Sequence, residues 1–156
     1  MLMQNFHPSV ERIFDIEYLP DDDIYLVNRA WVDADPLDTV EEPATAVQVL
    51  AKALTALSYL HSLDILHRRI CSDHILVQED HPILISLSAL PRDELLDSIP
   101  GYVHASVAEE GWSPRADLWA LVKSFTDTLG ALIEKSDPQA YEKLSAFIQD
   151  PAAIPH

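Results

Sequence analysis

The chain has 156 residues, with 10 basic and 26 acidic side chains and a formal net charge of −16. Hydrophobic residues make up 48% of it, which is typical of a folded globular protein and excludes an intrinsically disordered one. Nucleic acids and anionic membranes are bound by clustered Lys and Arg, so this acidic composition predicts that neither is a partner.

The cysteine content and the hydropathy pattern indicate a cytoplasmic location by default. Cys71 is the single cysteine, so no disulfide can form within the chain. No apolar run approaches the 18 residues that a membrane-spanning helix needs. The first five residues also lack the charged and apolar regions of a signal peptide.

The first 42 residues predict a β-hairpin followed by an irregular connector. Residues 13–19 alternate between apolar and acidic side chains, as in a half-buried strand. The run Pro-Asp-Asp-Asp at 20–23 is a turn, and residues 24–27 form a second apolar strand. Residues 28–42 are rich in acids and predict a connector with one helical turn.

Two long helices and a shorter one are predicted from apolar periodicity and start signals. The first runs from Pro43 to near Ser62 and carries two apolar rows, so we expect a broad buried face. The second starts at Ser113 and Pro114, where a hydroxyl caps the helix and proline takes its first position. The third starts at Asp137. The predicted buried residues of the second and third helices are Leu118, Leu121, Val122, Phe125, Leu129 and Leu132, then Tyr141, Leu144 and Ile148.

Short apolar runs at 75–77 and 83–85 predict a second hairpin with residues 78–82 as its turn. Residues 88–112 show little periodicity apart from a short helix predicted around 93–96. The sequence contains no repeat and no domain boundary. We therefore expect one domain over residues 1–156, of the α+β class, mostly helical and with two short β-hairpins.

The stretch HRRICSDHILV at residues 67–77 follows the first long helix. It resembles the catalytic loop of the protein kinases, in which His-Arg-Asp precedes four residues that include a Lys, then an Asn, then an apolar strand. In that register Arg69 stands at the catalytic Asp, Cys71 at the Lys and His74 at the magnesium-binding Asn.

Other segments resemble the kinase pattern in the same order. Residues 7–28 are similar to the fourth and fifth small-lobe strands, and "NRAWVDADPLDTV" to the hinge. Residues 100–121 are similar to the end of an activation segment and the start of the central large-lobe helix. The resemblance implies a truncated kinase-like fold, a large-lobe remnant whose small lobe is largely missing. Its expected parts are a hairpin and hinge remnant at 7–42, the large-lobe core at 43–133 and a C-terminal helix at 134–156.

The resemblance implies a retained scaffold around a changed set of reacting groups. His67 and Arg68 keep the scaffold residues of the loop, and Asp117 stands where kinases place a buried Asp that hydrogen-bonds its backbone. No glycine-rich phosphate loop and no strand lysine precede residue 7. The metal-binding Asp-Phe-Gly is replaced by Ser86, Leu87 and Ser88, and the Glu of the terminal Ala-Pro-Glu by Ser106.

These departures predict a pseudokinase that is not an enzyme and holds no cofactor or metal. Phosphoryl transfer depends on positioned magnesium ions, which prefer hard oxygen ligands, and an arginine cannot act as the general base. We expect a protein–protein interaction scaffold or a regulatory subunit. The alternatives are a nucleotide-sensing pseudokinase, with ATP at the hinge near residues 28–31, and one half of a split kinase completed by another chain.

Two other kinds of site are less favoured. His61, His67, His74 and His81 are spaced by six or seven residues, which matches no common zinc pattern. A thiol at Cys71, beside two arginines, would have a lowered pKa and suit a nucleophile. No base with an orienting partner accompanies it, so the scaffold interpretation is preferred.

The hairpin at 13–27 is the expected interaction surface. In a complete kinase it lies inside a five-stranded sheet, so here a strand edge and an apolar face are expected to be uncovered. We expect either a protein partner or self-association at this hairpin, by strand addition or by packing on its face.

Overall fold

The computed structural model describes residues 7–87 and 99–150. Its elements in chain order are β1 (Ile13–Leu19), β2 (Ile24–Arg29), β3 (Asp35–Pro36), α1 (Pro43–Ser62), β4 (Ile75–Gln78), β5 (His81–Leu84), α2 (Val107–Glu110), α3 (Pro114–Ser136) and α4 (Pro138–Gln149). Single 3₁₀ turns precede α1, at Leu37–Thr39, and β4, at Ser72–His74. Helices and two small sheets share the chain, so the α+β prediction is confirmed.

β1 and β2 form a two-stranded antiparallel sheet that begins where the sequence predicts it. A bulge at Phe14 interrupts the register, between the pair formed by Ile13 with Arg29 and the pair formed by Asp15 with Asn28. The predicted half-buried character holds for only part of this hairpin. Ile13 is buried and Ile16, Leu19 and Val27 are partly buried, but the remaining apolar side chains of both strands are exposed. Among the strands and helices, β1 and β2 contact mainly each other.

The second sheet has three strands in the order β3–β4–β5. Its β4–β5 hairpin differs from the prediction, because β5 starts at His81 and the turn is only Glu79 and Asp80. Pro82 therefore lies within a strand rather than in the turn. A proline is tolerated there because β5 is the last strand of this sheet, where a missing N–H does not interrupt the ladder. The pairing of β3 with β4 is a further strand contact that no periodicity indicated.

α1 packs along α3 and both contribute to one hydrophobic core that also includes β4, β5 and Leu37. α1 has the predicted bounds; it buries one of its apolar rows completely, while Val47 and Leu54 of the other row are partly buried. α3 starts as predicted, with the Ser113 hydroxyl accepting a hydrogen bond from the Ala116 N–H (3.2 Å). Of its predicted face, four residues are buried and two, Leu118 and Leu132, are partly buried.

α4 packs against α3 through a face slightly different from the predicted one. Phe147 is its buried residue, while Tyr141, Leu144 and Ile148 are only partly buried. The ring of Tyr141 lies close to Gly130 of α3, where an added Cβ would stand 3.3 Å from it. The Trp119 indole N–H donates to the Ile148 carbonyl (3.0 Å), which fixes the end of α4.

Two expectations fall on parts of the chain outside the described residues, namely the short helix at 93–96 and the position of Ser88. Within the described helices, none is both long enough and apolar enough to cross a membrane.

Candidate functional site

Asp117 organises the loop that follows α1. It lies in the first turn of α3, is fully buried, and accepts hydrogen bonds from the backbone N–H groups of His67 (2.7 Å) and Arg68 (2.8 Å). The His61 Nε2, at the end of α1, is 3.0 Å from the same carboxylate. The N-terminal end of a helix favours a negative charge, and three polar partners compensate its burial. One carboxylate thus joins α1, α3 and the loop.

The loop backbone has an unusual conformation at this contact. Arg68 has φ of +65°, in the left-handed region that residues other than glycine rarely adopt. Such a conformation persists where surrounding contacts impose it, and here the Asp117 carboxylate binds the N–H of Arg68 and that of His67 before it. His67 is completely buried, and this burial lowers the pKa of its imidazole from 6.5 to about 4, although the Asp117 charge opposes the shift.

His74 and Cys71, which stand at positions of kinase catalytic groups, are held within the loop. The His74 Nδ1 lies 2.6 Å from the Arg69 carbonyl, so the ring nitrogen donates to the backbone. Cys71 is buried, and desolvation raises the pKa of its thiol. The expectation of a lowered pKa there is wrong, because burial outweighs the attraction of the neighbouring Arg69.

A second polar cluster fixes the segment at Ser86 and Leu87. Leu87 is fully buried; its N–H donates to the Glu11 Oε1 (2.7 Å) and its carbonyl accepts from the Arg29 Nη2 (2.9 Å). Arg29 and Glu11 also form an ion pair. Desolvation raises the pKa of Glu11, while the Arg29 charge and the Leu87 N–H oppose that shift. We call Glu11, Arg29 and the Leu87 backbone the hairpin clamp, since it connects β2 to this segment.

The structure brings some of the expected site residues together and leaves others apart. The Ile85 N–H donates to the His74 carbonyl (2.9 Å), which places Ser86 next to the loop. Ser86 itself has φ of +60°. Ser106 lies instead before α2, where its hydroxyl contacts the His104 Nδ1 (2.8 Å). The described part of the segment that leads to it contacts the loop through the hydroxyls of Tyr102 and Ser72 (3.4 Å).

Sequence reasoning missed three participants: His61, Glu11 and Arg29. The histidine spacing raises only a metal-ligand role for His61, which lies in the last turn of α1, the helix that precedes the loop. Glu11 lies between Val10 and Arg12, and nothing in this neighbourhood marks it as a buried acid. Nothing local indicated its pairing with Arg29, 18 residues further along the chain.

The histidines have separate partners. His61 contacts Asp117, His74 contacts the Arg69 carbonyl, and the His81 Nε2 is 3.0 Å from the Ser9 hydroxyl. Among the residues that the structure describes, no group of three or more His, Cys, Asp or Glu side chains has the arrangement of a metal site. The expectation of no bound metal stays a prediction.

The comparisons with known proteins agree on one kind of fold. No family model matches the chain. The curated relatives include serine/threonine-protein kinase pak-2 of Caenorhabditis elegans, 30% identical over 152 residues, which cover 88% of this chain and 28% of the relative. Calcium/calmodulin-dependent protein kinase type 1B of Homo sapiens is 28% identical over 156 residues, 88% of this chain and 45% of the relative. The chain thus spans less than half the length of these relatives.

Solved structures give the same answer at lower identity. The Mycobacterium tuberculosis PknI kinase domain superposes with a TM-score of 0.70 and 16% identity, covering 94% of this chain and 65% of that one. Rad53 superposes with a TM-score of 0.61 and 20% identity, covering 95% of this chain and 46% of that one. The chain therefore has a protein kinase-like fold and matches kinase domains over only part of their length.

Proposed function

We propose that this chain is a catalytically inactive kinase-like domain that acts through protein–protein contacts, as a scaffold or a regulatory subunit. One observation carries the interaction role. Among the described residues, the exposed large hydrophobic side chains all lie in the β1–β2 hairpin or just after it: Phe14, Tyr18, Ile24, Tyr25, Leu26 and Trp31. The five in the hairpin are 39% to 55% exposed and Trp31 is 92% exposed. Apolar side chains gathered in this way are typical of an interaction site.

The chemistry of the loop supports inactivity. In the kinase register Arg69 takes the position of the proton-accepting Asp, and a guanidinium cannot accept a proton at physiological pH. Loss of a general base alone typically lowers a rate by about 10² to 10⁴.

The metal positions argue in the same direction. Magnesium requires near-octahedral oxygen coordination, usually with one or two carboxylates. Ser86 offers only a hydroxyl, and the His74 Nδ1 already donates to the Arg69 carbonyl. These residues do not fit a magnesium–nucleotide complex. The kinase names of the relatives describe those proteins, of which this chain spans only a part.

Nucleotide binding and phosphate transfer test the proposal directly. The melting temperature of the purified chain would be measured with and without millimolar ATP, in the presence and absence of magnesium. A ligand at 100 times its Kd stabilises a protein by about 2.7 kcal/mol, which a melting curve resolves. We expect no shift and no transfer of labelled phosphate to the chain or to a generic substrate protein.

A double variant, Arg69→Asp with Ser86→Asp, serves as the matched control for the split-kinase alternative. If another chain supplied the missing phosphate loop and lysine, this variant would gain phosphate transfer with that partner, and no gain with any partner would exclude the alternative. A magnesium-dependent shift in the unmodified chain would favour the nucleotide-sensing alternative. Transfer of labelled phosphate by the unmodified chain would contradict inactivity.

A further inference from the structure

The two edges of the β1–β2 hairpin differ in how well they resist pairing with another strand. The two strands form a sheet of their own, so within the described residues each has one unpaired edge. β1 has a bulge at Phe14 and carries Asp15 and Glu17, and both features discourage strand pairing. β2, with the sequence IYLVNR, has a regular register, no proline and no acid. β2 is therefore the edge better suited to pairing with another strand.

The side chains of β2 suit a partner strand on both faces of the hairpin. Ile24, Tyr25 and Leu26 are consecutive and all exposed. Because neighbouring strand residues point to opposite faces, the hairpin presents apolar side chains on both sides. The hydrogen bonds to β1 show which backbone N–H groups of β2 face outward. The Ala30 N–H, just after β2, donates to the Arg12 carbonyl on the β1 side (2.8 Å). N–H directions alternate along a strand, so the N–H of Tyr25 points away from β1.

Charge selects the kind of partner. The hairpin carries five exposed acids, Asp15, Glu17, Asp21, Asp22 and Asp23. Its one basic residue, Arg29, is paired with the buried Glu11. A second copy of the chain would bring another acidic hairpin and a further charge of −16 to the same edge. Complementary charge favours encounter with a basic segment and disfavours self-pairing.

We propose that the outer edge of β2 binds an extended segment of another protein by β-strand addition, and that this segment carries Lys or Arg between apolar residues. The backbone bonds of such a pairing provide affinity, and the alternate side chains provide selectivity. This inference rests on the proposed interaction role and names its site and the chemistry of its partner.

The test is a selection of random nine-residue peptides displayed on phage, with the whole chain as bait. Two variants separate backbone pairing from side-chain contact. Tyr25→Ala removes the ring and keeps the N–H, whereas Tyr25→Pro removes both. Circular dichroism checks that each variant keeps the helical signal of the unmodified chain. Selected peptides are then synthesised, and their Kd is measured against all three proteins at 0.15 M salt.

We expect the enriched peptides to alternate apolar residues with Lys or Arg. Their Kd for Tyr25→Pro should be about tenfold or more above that for Tyr25→Ala, since the loss of backbone hydrogen bonds in an edge pairing has about this effect. A glutamate-for-lysine version of the same peptide should bind at least about tenfold more weakly than the parent.

Four results would overturn the proposal: no enrichment, enrichment without basic residues, equal binding to the Pro and Ala variants, or a dimer in sedimentation that Tyr25→Pro dissociates. The last result would make a second copy the occupant. Any of these would leave catalytic inactivity standing. Conversely, phosphate transfer by the chain would contradict the proposed function without affecting a positive peptide result.

Discussion

The Asp117 side chain connects the loop to both long helices. Its carboxylate accepts from the His67 and Arg68 N–H groups and contacts His61, and it is fully buried. The loop conformation at Arg68, with positive φ, depends on these bonds, because a non-glycine residue does not adopt it without compensation. The carboxylate therefore has a structural role that does not require catalysis.

Replacing Asp117 by Asn tests this role. An amide has one oxygen instead of two, so one buried backbone N–H of the loop would lose its acceptor and face an NH₂ group. We expect the free energy of unfolding to fall by about 2–4 kcal/mol, measured by urea denaturation.

Asp127→Asn is the matched control, on the same helix. Asp127 pairs with Lys123 on the surface (2.8 Å), four residues away. Its loss should lower the free energy of unfolding by about 0.5 kcal/mol or less. Similar losses for the two variants would contradict a special role of Asp117.

His67 predicts a pH dependence of stability. Its folded pKa is about 4 against an unfolded value of 6.5, so between these values the unfolded chain binds a proton that the folded chain does not. Protonation of His67 leaves the free energy of unfolding unaffected above pH 6.5. As the pH falls from 6.5 toward 4, it lowers this free energy by up to about 3 kcal/mol. Urea denaturation at a series of pH values from 4 to 7.5 measures it.

The variant His67→Gln should flatten this dependence, whatever its effect on absolute stability. His104→Gln, which retains His67, should keep the slope of the unmodified chain. Glu11 contributes in the opposite direction, since a raised carboxyl pKa stabilises the fold as the pH falls below it. That contribution is common to all three proteins. An unchanged slope in His67→Gln would show that burial of this imidazole does not govern acid stability.

At the scale of elements, the hairpin clamp connects β2 to the segment after β5. Arg29 is the last residue of β2, and its guanidinium binds both the Glu11 carboxylate and the Leu87 carbonyl. The carboxylate is almost fully buried, with 4% of its side chain exposed, while the Arg29 side chain is 27% exposed. A buried charge that loses its partner is more costly than an exposed one.

A double-mutant cycle measures this connection. Arg29→Met should lower the free energy of unfolding by about 2–3 kcal/mol, because it leaves the Glu11 carboxylate uncompensated. Glu11→Gln in the same chain removes that charge and should recover part of the loss, with a coupling energy of about 1–2 kcal/mol.

Lys52→Met provides the control for this cycle. Lys52 pairs with Asp80 at 2.8 Å, and both side chains are substantially exposed. We expect a loss of about 0.5 kcal/mol or less. Additive losses in the Glu11 and Arg29 cycle would show that the two residues act independently.

The elements that the sequence predicted well have local signals. α1 and the start of α3 have apolar periodicity and proline or serine at their first positions, and both agree with the structure. The misplaced elements lack such signals or conflict with them. Pro82 indicated a turn but lies in an edge strand, and β3 has only two residues, too few for periodicity.

The sequence could not predict which side chains are buried or which residues distant in the chain pair with each other. Alternation along β1 predicted one buried face, yet alternation cannot tell whether another layer covers that face. On the predicted face Phe14 and Tyr18 are exposed, whereas Ile16 is partly buried against the core. In the candidate site, only the resemblance to kinases predicted the contact between the loop and Asp117. His67 and Asp117 are 50 residues apart, so no local pattern indicates it. The hairpin clamp joins residues 76 positions apart, and no local pattern encodes such a contact.

At the scale of the whole molecule, the charge is strongly unbalanced. A net charge of −16 in 156 residues produces self-repulsion that opposes the compact state. Basic side chains relieve it at a few places, such as the pairs of Lys52 with Asp80 and Lys123 with Asp127. The acids at 21–23, at the tip of the hairpin, are exposed and concentrate part of this charge.

Salt should therefore stabilise the protein. Added ions shorten the Debye length from about 30 Å at 0.01 M to about 8 Å at 0.15 M, and this screens repulsion between distant acids more than attraction within close pairs. We expect the melting temperature to rise by about 3 °C or more between 0.01 and 0.3 M NaCl, which corresponds to about 1 kcal/mol for a chain of this size. The triple variant Asp21→Asn, Asp22→Asn, Asp23→Asn removes three negative charges and should melt higher at low salt and respond less to NaCl. A melting temperature that falls with salt, or an identical response of the two proteins, would mean that local pairs rather than overall repulsion dominate the electrostatic contribution to stability.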